Sequence, residues 1–209
     1  MEIASAGAFV LRLPQTVVTM FRTMLGEPPG RTMKKLLTAA QVKRALDRLY
    51  KAVLEHLPKD SPVAVVGIRT RGETLAGRIV ERLQAEKPEL TVEYGVLDIT
   101  FYRDDLSRRR GAPLVRATEI DFDLDDTWVL LVDDVLQTGR SIRAAMDALA
   151  DFGRPKLVRL AVLIDRGGRE LPIAADFVGR AVDAPPGSRV QLRLQETDGE
   201  EGVFILSQS

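Results

Sequence analysis

The alternation of short apolar runs with amphipathic stretches constrains this chain more than any other feature. "PVAVVGI" (62–68) is a β-branched run bounded by turn residues, "TWVLLV" (127–132) is continuously apolar, and "KLVRLAVLID" (156–165) is a third such segment. Runs of this length read as strands, the second as one buried on both faces. "TVEYGVLDITF" (91–101) alternates in part and adds a fourth. Between them lie helical patterns: Leu75, Ile79 and Leu83 on one face of "RGETLAGRIVERLQAE" (71–86), then Ile142, Ala145, Met146 and Leu149. A preceding helix is predicted from Thr38, as N-cap, through Val42, Ala45, Leu46, Leu49 and Val53, ended by Pro58. Strands alternating with helices imply right-handed crossovers and a mainly parallel sheet covered on both faces. Ligands of such α/β sheets bind at the carboxyl ends of the strands.

The two ends of the chain read differently. "RVQLRL" (189–194) and "GVFIL" (202–206), separated by "QETDGEE", predict an antiparallel hairpin appended to the sheet. Residues 1–32 lack a basic segment ahead of a sustained apolar core, so a secretory signal fits poorly. Pro28-Pro29-Gly30 breaks the chain just before Met33-Lys34-Lys35. Residues 1–32 are therefore expected to be an extension with little part in the fold, and 33–209 a single domain.

Composition narrows the chemistry. The absence of cysteine rules out thiolate nucleophiles, disulfides and cysteine-ligated metal sites, and a single histidine, His56, disfavours triads and multi-histidine centres. No run approaches the eighteen or so apolar residues of a membrane span, and a cytoplasmic protein is the expectation. Thirty basic residues balance thirty acidic ones, so nucleic-acid binding would need a local patch. Clusters at Lys43/Arg44/Arg48/Lys51, Arg108-Arg109-Arg110 and Arg154/Lys156/Arg159 qualify, though solvated helix faces and loops give the same pattern.

The residues that carry chemistry are in "VLLVDDVLQTGRS" (129–141). Asp133 and Asp134 stand where a buried strand emerges. Val135, Leu136, Gln137, Thr138, Gly139, Arg140 and Ser141 then lead into a helix, whose amides and positive dipole end suit a phosphate. Ionised carboxylates accept hydrogen bonds only, so they suit vicinal hydroxyls. Acid pair and phosphate loop together read as a site for a sugar phosphate. Acid pairs at strand ends also occur in receiver domains and magnesium phosphatases, and Thr-Gly is common in turns.

The array resembles the phosphoribosyl-diphosphate (PRPP) motif of type I phosphoribosyltransferases, in which the acids bind ribose hydroxyls and the loop binds the 5-phosphate. "GIRTRG" (67–72) resembles that family's diphosphate loop, which implies the role for Thr70 and Arg71. "GVLDITFYRDDL" (95–106) and "LAVLIDRGGRELPI" (160–173) narrow the resemblance to the PyrR family, pyrimidine-operon RNA-binding attenuators that are also uracil phosphoribosyltransferases. The resemblance runs from about Leu37 to near the C-terminus. It implies a five-stranded, mainly parallel α/β sheet of the type I phosphoribosyltransferase fold, with a mobile active-site loop over "TFYRDDLSRRRGAPLVRA" (100–117). It implies transfer from PRPP to uracil to give UMP and diphosphate, with Mg2+ carried by PRPP and no confident protein ligand for it. Arg103 and Arg116 would act on the diphosphate side through that loop, Arg166 would line the base pocket, and Val190 is a further position that would bind PRPP or UMP. Arg166 could equally pair with Asp165 or Glu170.

For the RNA-facing side, the resemblance implies Arg44, Arg48, Lys51, Arg169 and Arg180, a pyrimidine-operon leader RNA as partner, and a homo-oligomer, dimer or larger. Here the chain departs from the family. Asp47 replaces a threonine, Lys51 a histidine and Arg180 a lysine, while Gly168 and Ala174 stand where "DRGHREL" and "IRAD" have histidine and arginine. Gln137 replaces a tyrosine in the phosphate loop. Asp47 would repel phosphate, and Gly168 and Ala174 remove polar contacts from that face. A regulator with weak or no catalysis, and a phosphoribosyltransferase for orotate or a purine, are the alternative readings.

Overall fold

The computed structural model describes residues 31–104 and 117–208. Residues 1–30 of the expected extension lie outside it; Arg31 and Thr32 open the first strand. Along the chain come β1 (Arg31–Thr38), α1 (Ala39–Leu54), β2 (Val63–Ile68), α2 (Arg71–Glu86), β3 (Val92–Leu97) and β4 (Trp128–Leu136). There follow α3 (Arg140–Leu149), β5 (Leu157–Asp165), β6 (Phe177–Ala181), β7 (Arg189–Arg193), the four-residue α4 (Gln195–Asp198) and β8 (Gly202–Gln208).

The main sheet has the order β3-β2-β4-β5-β6, with every neighbouring pair parallel. Because successive strand residues point to opposite faces, the continuous apolar runs feed two cores. Val63, Val65, Leu130 and Val132 join α1 and α2 on one face. Ala64, Val66, Val129 and Leu131 join Ile142, Ala145 and Leu149 of α3 on the other. Thr38 does precede α1, and its N–H donates to Oε1 of Gln41 (2.8 Å), satisfying a donor that the first turn leaves open. Met146, expected on the inner face of α3, is 44% exposed; Ala144 and Ala148 complete the buried stripe with the expected Ile142, Ala145 and Leu149. Among the described residues, no helix is long and apolar enough to cross a membrane.

Three features differ from the sequence expectation. β6 is a strand whose composition, "FVGRA", carries little periodic signal; it is built at the sheet edge by pairing with β5. The C-terminal hairpin is not appended to the main sheet. β7 and β8 pair antiparallel with each other, and β8 pairs with β1, giving a separate sheet β1-β8-β7 in which an N-terminal strand covers the hairpin. The connection "QETDGEE" contains α4 rather than a plain turn.

The chain runs from β2 outward to β3, then crosses back to β4 on the opposite side of β2. This reversal makes the carboxyl ends of β2 and β4 the topological switch point, where ligands of α/β sheets bind.

Candidate functional site

At that switch point, pairing of β4 with β2 ends at Val132, opposite Gly67, while pairing with β5 continues to Leu136. Asp133 and Asp134 therefore project past the end of β2. Asp133 is buried and Asp134 half-buried. Each carboxylate folds over the next amide: the Asp134 N–H donates to Asp133 Oδ1 (2.9 Å), and the Val135 N–H to Asp134 Oδ1 (2.7 Å). Burial, then the charge of Asp134, pushes Asp133 well above the usual carboxylate range, with the Arg103 cation opposing weakly. Burial also raises Asp134, against hydrogen bonding by the Val135 amide and the nearby Arg71 cation. A site that keeps two acids unfavourably dehydrated needs hydrogen-bond donors from elsewhere, and a ligand's hydroxyls are suitable ones.

The strand runs directly into the loop. Gly139 has φ +90°, and a Cβ there would lie 3.3–3.4 Å from Ile173 and Leu171, so the residue needs both glycine's backbone freedom and its missing side chain. Gly139 precedes α3 without a side-chain cap, which leaves the amide end of the helix for an external anion. The loop is braced from behind. Thr138 O accepts from the amides of Glu170 (3.0 Å) and Leu171 (3.1 Å), and Arg169 Nη1 donates to Gln137 O (2.9 Å). Gly139→Ala should cost about 1–3 kcal/mol through backbone strain. Its predicted signature is loss of phosphate-ester affinity larger than the fall in Tm accounts for, measured by titration with UMP.

One cavity of about 640 Å³ brings these parts together. Its walls include Thr70 and Arg71 from the turn between β2 and α2, Arg103, the stretch 133–139, Ser141, and Val190 from β7. Arg103 Nη1 donates to Ser141 Oγ (3.2 Å), linking the diphosphate side to the phosphate loop. Arg69, Asp98, Thr100, Arg189 and Gln191, which are not among the residues expected from the sequence, also line it. Arg69 Nε donates to Ala117 O (3.0 Å) and its Nη atoms pair with Glu73 and Glu119. Asp98 Oδ1 accepts from the N–H (2.7 Å) and Oγ1 (2.5 Å) of Thr100. "GIRTRG" could have pointed to Arg69; an isolated Asp just past a strand, or a Gln within one, carries no such signal.

Several expected residues stand elsewhere. The side chain of Arg140 turns out to Glu170 (2.7 Å) and Asp104 (2.6 Å), so only its backbone serves the loop. Arg166 is not part of the cavity wall. It pairs with neither Asp165 nor Glu170; its Nη1 donates to Ser188 O (2.6 Å), and its Nε is buried without a partner among the described residues. Arg169 spends its guanidinium on Ile173 O, Gln137 O and Asp165, which makes it a brace for the phosphate loop. Arg44, Arg48, Lys51 and Arg180 are exposed, and Arg48 Nη1 donates to Gly179 O (2.9 Å), so α1 and β6 carry one basic flank. Asp47, expected to repel phosphate there, is bound by Lys43 (3.1 Å) and Arg82 (2.8 Å). Arg116 and residues 105–116 of the expected mobile loop lie outside the described residues.

A family model for the phosphoribosyl transferase domain matches residues 32–187. The bifunctional protein PyrR of a Roseiflexus species is 53% identical over 174 residues, covering 83% of this chain and 94% of its own length. The PyrR protein of Pelotomaculum thermopropionicum is 48% identical, covering 85% and 97%. The chain belongs to the PyrR family of phosphoribosyltransferases. Solved hypoxanthine phosphoribosyltransferases share the fold at low identity. That of Staphylococcus aureus is 16% identical with a TM-score of 0.59, covering 84% of this chain and 92% of its own. That of Trypanosoma cruzi is 18% identical with a TM-score of 0.59, covering 84% and 96%. At these identities the hypoxanthine enzymes bear only on the architecture.

Proposed function

We propose that this chain transfers a phosphoribosyl group from PRPP to uracil, forming UMP and diphosphate, and that it regulates pyrimidine genes by binding leader RNA. The observation that carries the transferase reading is the convergence of Asp133-Asp134 and the Thr138–Ser141 loop on one cavity. Ribose hydroxyls donate to the carboxylates, and the 5-phosphate takes the amides at the start of α3 with the hydroxyls of Thr138 and Ser141. This holds the anomeric carbon between the Thr70-Arg71 loop, where diphosphate leaves, and Val190, where the base enters.

The chemistry asks little of the protein beyond orientation and charge. Uracil N1 forms a bond to the anomeric carbon as the bond to diphosphate breaks, so positive charge builds on the ribose and negative charge on the leaving group. Fixed acids and cations aimed at these two charges supply the acceleration. Arg71 and Arg103 stand on the diphosphate side. Bound with PRPP, Mg2+ supplies charge neutralisation on the diphosphate oxygens. Asp133 and Asp134, acidic side chains that line the cavity, would help hold an ion brought in with PRPP.

Purified protein given uracil, PRPP and Mg2+ should form UMP and diphosphate in equal amounts, with orotate and hypoxanthine much poorer acceptors. Nucleotide and diphosphate formation no faster with uracil than with those bases would sink the choice of base. The regulatory reading is supported by the bifunctional relatives and by the basic flank of Arg44, Arg48, Lys51 and Arg180, where Lys43 and Arg82 neutralise Asp47. A gel shift with the leader of the organism's own pyrimidine genes should show UMP-enhanced binding. Phosphate-contacting residues make such binding salt-dependent.

A further inference from the structure

Helix α2 turns Arg71, Thr74 and Arg78, spaced three and four residues apart, toward α4. Arg78 takes Glu196 through Nε (2.8 Å) and Nη2 (2.7 Å), and Glu201 through Nη1 (2.8 Å). Thr74 Oγ1 and Thr197 Oγ1 are 3.3 Å apart. Arg71 forks onto Asp198, Nε to Oδ2 at 3.0 Å and Nη2 to Oδ1 at 2.5 Å. Because α4 joins β7 to β8, these bonds fix the strand carrying Val190 against the helix that starts at the diphosphate loop.

The Arg71 bond differs from its neighbours. Arg71 lines the cavity, whereas Asp198 stands behind it and outside the lining. The Asp198 side chain is only 16% exposed, and the Leu194 N–H donates to its Oδ2 (2.9 Å), so the carboxylate cannot swing away cheaply. The fork uses two of the guanidinium's three nitrogens and leaves Nη1 for the cavity side. Asp134 is the other carboxylate that feels the Arg71 charge. Without Asp198 the guanidinium would lose this fixed orientation and could leave the diphosphate position.

We propose that Asp198 is a positioning residue for the diphosphate end of the site, holding the Arg71 guanidinium so that its remaining edge meets the leaving group. This rests on the transferase reading above. A cation fixed in advance loses little freedom when the ligand arrives, which favours the bound state over a mobile arginine.

Calorimetric titration with PRPP plus Mg2+, and separately with UMP, tests it, because UMP keeps the ribose and 5-phosphate but has no diphosphate. Asp198→Asn keeps an oxygen for the Leu194 N–H and removes the charge; it should weaken PRPP roughly tenfold and UMP by less than about twofold. Asp198→Ser, a second variant that shortens the group, should show the same selective loss. Arg78→Gln breaks the adjacent ion pairs without touching Arg71, and should lower Tm while leaving the ratio of the two affinities unchanged. Equal weakening of both ligands by Asp198→Asn would make Asp198 a mere clamp for the hairpin and overturn the proposal; unchanged or tighter PRPP binding would overturn it too. If the wild-type protein bound neither PRPP nor UMP, the transferase reading itself would fall.

Discussion

Asp133→Asn should lower kcat/KM for PRPP while making the empty protein more stable at neutral pH. The catalytic loss follows from replacing an ionised acceptor of a ribose hydroxyl; a hydrogen bond to a charged group contributes about 1.5–3 kcal/mol, or on the order of 10- to 150-fold. The gain in stability follows from linkage. Burial and the charge of Asp134 raise the native pKa of Asp133 above the ordinary value of 3.8. Between the ordinary and the raised value, the native form holds a proton that the unfolded chain has released, so stability falls as pH rises through that window. Above the window the native state carries a buried charge that Asn lacks. Activity runs the other way, rising with pH as the carboxylate ionises. Thermal melts and initial rates from acid to neutral pH check both signs: Asp133→Asn should flatten the pH dependence of Tm and raise Tm near neutrality. A lower Tm for the variant at neutral pH would contradict the electrostatic account.

Gly72→Ala should be among the most damaging single-methyl additions to this fold. A Cβ at Gly72 would lie 2.5 Å from Val132 O and 3.2 Å from Asp133 Cα, both backbone atoms that cannot rotate aside. Gly67, at the other end of the same turn, is as tight, with Glu73 Cα at 2.5 Å from a built Cβ. Helix α2 would have to lift from β4, at a cost of about 1–3 kcal/mol toward the upper end of the range for overpacking. For a chain of this size that corresponds to a fall in Tm on the order of 5–10 °C. Because the displaced strand residue is next to the acid pair, PRPP affinity should fall with it. Differential scanning calorimetry reads the first effect and titration the second.

Buried strands and amphipathic helices were legible in the sequence because their periods differ and both faces of the sheet are covered. "RGETLAGRIVERLQAE" matches α2 end to end. β6 was not legible, since "FVGRA" owes its strand to the neighbouring β5 and not to its own pattern. Nor was the sheet formed by β1, which depends on a pairing between opposite ends of the chain. In the site, contiguous residues such as 133–139 announced themselves by their order. Asp98, Gln191 and Asp198 did not, because each meets the site only through tertiary contact. Arg140, Arg166 and Arg169 show the converse: an arginine's position in a motif does not say where its guanidinium goes. Glu170, Ser188 and Asp165 decide that here.

The central claim is that acid pair and loop grip two ends of one ligand, ribose hydroxyls at Asp133-Asp134 and phosphate at Thr138–Ser141. Its most direct test is a calorimetric cycle comparing UMP with 2′-deoxy-UMP on the wild-type protein and on a variant carrying Asp133→Asn and Asp134→Asn together. The account predicts that loss of the hydroxyl weakens binding to the wild type by roughly tenfold or more and leaves binding to the variant nearly unchanged, a coupling that only direct contact produces. An equal penalty for the missing hydroxyl in both proteins would contradict it.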